Sequence, residues 1–89
     1  MITFEKAPAD TQDYDIDFNA WLTNLSDTGQ SFTVETPSGI TLVTSSLTAG
    51  VVKLWITSGD RDTKYTFLVN LTTTGGRVKQ VRVLINVGS

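Results

Sequence analysis

"KYTFLVNLTTTGGRVKQVRVLINV", residues 64–87, decides how this chain folds. Tyr65, Phe67, Val69 and Leu71 occupy every second position of its first half, and Val81, Val83, Ile85 and Val87 do the same in its second. A period of two sends alternate side chains to opposite faces, so each half reads as a strand with one buried face. The glycines between them make a turn. A two-residue Gly75-Gly76 loop would set Phe67 against Leu84 and turn Gln80 and Arg82 into the core, where an unpaired guanidinium is too costly. A three-residue loop, Thr74 to Gly76 with a glycine in the left-handed conformation, pairs Phe67 with Val83 and Val69 with Val81 instead. That is the expected register.

The same alternation runs back through the chain. Residues 2–5, 14–22, 31–36, 40–44 and 51–57 read as further strands, separated by the turn-forming stretches "APAD", "TPSG", "SSLTAG" and "SGDRDT". Tyr14, Ile16 and Phe18 share one face of the second segment; Phe32 and Val34 share one face of the third. Val52, Leu54 and Ile56 share one face of the fifth, with Trp55 on the other beside Lys53. No helix, repeat or low-complexity tract is expected. Seven strands at this spacing predict an all-β fold, an immunoglobulin-like β-sandwich of about seven antiparallel strands, with residues 1–89 as a single domain. Tyr65, just after "SGDRDTK" at the start of the penultimate strand, stands where such folds carry a tyrosine whose hydroxyl bonds back to the preceding loop.

Composition narrows the chemistry. The 89 residues hold no cysteine and no histidine, so there is no thiolate, no disulfide and no imidazole base or ligand. An enzyme is not expected. Nine acidic against seven basic residues leave a net charge of −2, without the basic stripe that a phosphate backbone would need. No nucleic-acid or membrane partner is expected, since the apolar runs fall well short of the roughly 20 residues of a membrane span. "MITFEKAPAD" lacks the charged and apolar regions of a signal peptide, and the redox compartment cannot be read.

"DYDIDFNAWL", residues 13–22, holds the most conspicuous candidate site. Asp13, Asp15 and Asp17 alternate as in a calcium loop, yet bulky side chains lie between them and the sharp glycine turn is missing. An extended segment spaces same-face carboxylates roughly 7 Å apart. The three aspartates are therefore expected on a solvated outer face, with no metal and no cofactor. Asp60, Arg61 and Asp62 read as an ordinary surface loop. Trp21, at the end of the second segment, is expected at the core or its rim, or lining a ligand groove. Trp55 is expected to point outward, either covered by a loop or awaiting a partner. Leu68 and Leu84 also fall outward on adjacent strands, diagonal to each other, and suggest a contact surface.

The order of "DYDIDFNAWL", "TPSGITL", "VKLWITSG" and "KYTFLVNLTTTGGR" resembles the small immunoglobulin-like virion proteins of tailed bacteriophages, described as fibre-to-tail adaptors or accessory head, neck and tail proteins. Asp13, Tyr14, Asp17, Trp21, Leu22, Pro37, Gly39, Trp55, Gly59, Tyr65, Gly76 and Arg77 carry the resemblance, which covers residues 13–87. It implies a non-enzymatic structural or docking role in a virion assembled in the host bacterial cytoplasm. It brings no catalytic residue. Tail, neck or fibre proteins, and other copies of the chain, are the partners it implies. Trp55, Leu68 and Leu84 are the expected contacts, with Trp21 as a further candidate and Asp13, Asp15 and Asp17 as a polar rim. A carbohydrate-binding or cell-surface adhesion module, using Trp21 or Trp55 as a stacking platform, is the alternative.

Overall fold

The computed structural model describes residues 2–88. Seven strands and one short helix follow the chain as β1 (Ile2–Lys6), β2 (Gln12–Asp17), α1 (Asn19–Asn24), β3 (Gly29–Glu35), β4 (Ile40–Thr48), β5 (Val51–Ser58), β6 (Thr63–Thr73) and β7 (Val78–Val87). They form a sandwich of a four-stranded sheet, β1-β7-β6-β3, and a three-stranded sheet, β2-β5-β4. This is an immunoglobulin-like arrangement in which the first strand has joined the last. Between the sheets lie Ile16, Val52, Leu54, Ile56, Phe67, Val69, Leu71, Val83, Ile85 and Val87, all essentially inaccessible to water.

The expected hairpin register holds. Phe67 pairs with Val83 and Val69 with Val81, and Thr73 N–H donates to Arg77 O at 2.8 Å across the loop. Gly76 sits at φ +88°, the left-handed conformation that closes such a loop without a Cβ clash. The tyrosine corner is also present: the Tyr65 hydroxyl accepts the Asp60 N–H at 2.9 Å.

Three expectations are corrected. The strands are not all antiparallel, because β1 runs parallel to β7, pairing Ile2 with Val83 through Lys6 with Val87. This puts Ile2 and Phe4 over the core and brings Lys6 to its lower rim, where Nζ donates to Ala7 O, Pro8 O and Ser58 O at 2.8, 3.3 and 2.6 Å. Burial lowers the Lys6 pKa, and the carbonyls compensate the lost hydration. Second, residues 14–22 do not form one strand. β2 ends at Asp17 and α1 follows, since Phe18, Trp21, Leu22 and Leu25 fall at i, i+3, i+4 and i+7, a helical apolar stripe. Asp17 starts it by accepting the Asn19 N–H at 2.8 Å.

Third, the strand expected over 40–44 continues to Thr48. A bulge between Leu42 and Thr44 leaves Val43 unpaired, sets Thr44 opposite Trp55 and shifts the alternation by one, so Ser45 and Leu47 take the inward positions that Ile40 and Leu42 began. The strand then turns at Ala49 and Gly50, both at positive φ, the signature of a two-residue hairpin turn.

Tyr65→Phe removes one partly buried hydrogen bond and leaves the ring in place. It is expected to lower stability by about 1 kcal/mol in urea unfolding, with an unchanged dependence on denaturant.

Candidate functional surfaces

The outer face of the three-stranded sheet gathers most of the residues singled out in the sequence. Asp13, Asp15 and Asp17 stand on β2 opposite Trp55, Lys53 and Val51 of β5. Two of the aspartates hold one lysine: Lys53 Nζ lies 2.9 Å from Asp13 Oδ2 and 3.3 Å from Asp15 Oδ1. The hydrogen bond from Lys53 depresses the Asp13 pKa, and the two carboxylates raise that of Lys53. The row is thus a solvated strand face with its own counter-ion. Among the described residues no group of three His, Cys, Asp or Glu side chains is placed to hold a metal ion.

Trp55 points outward from the middle of this face and is 38% exposed. Thr44 of β4 stands opposite it, and Val43, the unpaired residue of the bulge, precedes Thr44 and is 55% exposed. The flank of the sandwich beyond them is almost without charge. From Gly29 to Val52 the chain carries a single ionisable side chain, Glu35, and both β3 and β4 are edge strands there. The face therefore grades from carboxylates on β2, through Trp55, to an uncharged edge of threonine and serine on β4 that exposes one large apolar side chain, Val43.

Leu68 and Leu84 lie elsewhere. They project from the outer face of the four-stranded sheet, diagonal to each other as expected, and each is half-buried. Polar rungs surround them: Gln80 donates to Asn70, Asn70 to Thr33 and Glu35, and Asn86 to Glu5. Trp55 and the two leucines face away from each other across the sandwich and cannot touch one flat partner together. Trp21 sits on α1, half-buried against the core.

The sequence reading missed Asp27. Its carboxylate accepts Thr28 N–H at 2.8 Å, Gly75 N–H at 3.1 Å and the Arg77 guanidinium at 2.8 Å, joining the α1–β3 connection to the β6–β7 loop. The Thr73 hydroxyl, the Thr28 amide, Arg77 and the Gly75 amide together hold its pKa down to about 2. Gly75 is required by this approach, since a Cβ there would meet the carboxylate at 2.8 Å. The one available signal was composition: Asp27 and Arg77 both stand at loops that the topology brings to the same end. Beside this clamp an open groove of about 490 Å³ runs between α1, β3 and the β4–β5 turn, lined by Asn19, Leu22, Asp27, Gln30 and Leu47 among others.

Residues 6–86 match the family described as podophage GP4 fiber-tail adaptor protein gp77. No curated protein matches the sequence. Among solved structures, an endo-fucoidan hydrolase from glycoside hydrolase family 107 superposes with a TM-score of 0.62 at 21% identity, over 97% of this chain. The chain spans only 12% of that hydrolase's length, and the likeness is one of sandwich fold.

The Asp27 clamp makes a signed prediction about pH. Its folded pKa lies below the ordinary 3.8, so its contribution is fully present above about pH 4 and disappears as pH falls towards 2. Asp27→Asn should lower the urea midpoint at neutral pH, and the gap from the unaltered protein should close between pH 4 and pH 2. A gap independent of pH across that window would contradict the assignment.

Proposed function

Because this chain belongs to the podophage GP4 fibre-tail adaptor family, we propose that it is a non-enzymatic virion component that joins other particle proteins through the outer face of its three-stranded sheet. The observation that carries this reading is Trp55, an exposed indole on a central strand, with Thr44 opposite it and the exposed bulge residue Val43 on the same uncharged edge strand. Aromatic anchors of this kind dominate protein interfaces, because they bury much area while freezing few rotatable bonds. The Asp13, Asp15 and Asp17 row forms the polar rim. Three carboxylates against the single Lys53 ammonium favour a partner that brings bases to that side and an apolar socket to Trp55.

The location follows from the same reading: the protein sits in the virion, where tail and fibre meet, after assembly in the host cytoplasm. A core confined to one small sandwich gains from such association, since any partner that binds only the folded form stabilises it. Leu68 and Leu84, on the opposite face, are free for a different neighbour.

Trp55→Ala tests the surface. The variant should keep its urea midpoint nearly unchanged, while the amount recovered on purified particles falls by about tenfold or more, as for an interface anchor. Gold-labelled antibody on purified particles should mark the junction of tail and fibre. Label-free particles, with the protein found unattached in the same lysate, would refute the virion role. A large loss of stability in Trp55→Ala would make the indole a structural residue instead.

A further inference from the structure

Among the described residues, the outer half of β7 is an open strand edge. β1 pairs with β7 only from Val83 onward, and among the described residues nothing pairs with Val78–Arg82 on that side. Its other side is fully engaged with β6, from Thr72 opposite Val78 to Leu68 opposite Arg82. The hydrogen-bond phase of the hairpin shows which groups are unused. Thr73 N–H donates to Arg77 O, so the bonded pairs continue as Leu71 with Lys79 and Val69 with Val81. Val78 and Gln80 therefore turn both N–H and C=O outward, in the spacing that an added strand would engage, and Arg82 its N–H, while the parallel register that sets Ile2 against Val83 commits the Arg82 carbonyl to Ile2.

The side chains on this edge have one sign. Arg77, Lys79 and Arg82 supply three cations within six residues, with no acid among them. Arg77 is committed to Asp27, whereas Lys79 and Arg82 enter no ion pair among the described residues. Val78 is 66% exposed, the most exposed large apolar side chain described. A shallow hollow at this edge is lined by Lys79, Gln80, Val81 and Arg82 alone. Bases on an edge deter pairing with a neutral or basic strand, and the same bases select one that carries carboxylates.

We propose that Val78–Arg82 is a strand-addition site for an extended acidic segment of a second virion protein. The segment lies along β7 beyond the start of β1, takes main-chain hydrogen bonds from Val78, Gln80 and Arg82, and sets one carboxylate against Lys79 on one side of the sheet and another against Arg82 on the other. An adaptor needs two separable contacts, and this edge lies on the four-stranded sheet, away from Trp55 on the other. The inference rests on the adaptor reading only for the identity of the protein that bears the segment.

The test is a titration of the full isotope-labelled chain with a synthetic heptapeptide of valines carrying two aspartates three positions apart, which an extended strand sends to opposite faces, followed by amide shifts and hydrogen exchange. Protection should appear at Val78, Gln80 and Arg82, leave the Trp55 indole signal in place, and weaken with added salt. Replacing the peptide's aspartates by lysines should abolish it. The double variant Lys79→Glu/Arg82→Glu, confirmed as folded by its amide spectrum, should lose affinity by about tenfold or more and accept the lysine peptide instead. Equal protection along β3 or β4, or none at the three named amides, would overturn the site. Concentration-dependent protection without any peptide would overturn it in favour of a second copy of this chain. Failure of the Trp55→Ala prediction would leave this titration unaffected, so the two readings fall separately.

Discussion

The structure depends on the burial of one face of β6. Tyr65, Phe67, Val69, Leu71 and Thr73 project inward from the strand that lies between β7 and β3, and each is buried. A shift of one residue against either neighbour would send this whole set to solvent and bring Leu68 and Asn70 inside. The register of β7 is therefore fixed by the core, and with it the position of the loop, the outward leucines and the three outward-turned amides beyond β1. Tyr65 ties the lower end of the same strand to the preceding loop. Thr73, at its upper end, accepts the Arg77 N–H on its hydroxyl at 2.9 Å, next to the Asp27 clamp.

Where the sequence states its period without interruption, the fold can be read from it. Residues 64–87 carry two clean alternations and a glycine turn of one permitted length, and the tyrosine corner follows from position alone. Legibility fails where two periods meet. Phe18 ends the alternation of β2 and begins the helical spacing of α1, so "DIDFNAWL" satisfies both templates until Leu22, and the strand reading extends too far. Val43 fails for a related reason. A bulged residue changes the phase of the alternation, and a strand whose inward set passes from Leu42 to Ser45 no longer resembles one strand.

Long-range pairing is the other blind spot. The parallel docking of β1 on β7 joins residues at opposite ends of the chain, and five residues of alternating polarity do not specify which edge they will meet. The surfaces suffer from the same limit. Alternation placed Trp55, Leu68 and Leu84 outward, as the structure has them, but it could not assign the two outward faces to opposite sides of the sandwich. Asp27 was invisible because its partners Gly75 and Arg77 come from a loop about 50 residues away in sequence.

The sandwich is tied at both ends, and this bears on how it can serve as a connector. At one end Lys6 draws the first turn and the β5–β6 loop onto a single ammonium, and Asp62 N–H bonds to Val87 O. At the other, Asp27 holds the β6–β7 loop while Asn19 holds the β4–β5 turn through Ala49 O. The loops at the two ends are thereby fixed to the sheets, and the open edges and outer faces are presented in one arrangement before any partner arrives. Contacts made by a pre-organised surface lose little to ordering on binding. A polar, partly charged edge on such a frame can then discriminate between partners by charge with little loss to conformational adjustment. That combination, fixed loops with chemically different faces on its two sheets, is what the proposed adaptor role asks of so small a frame.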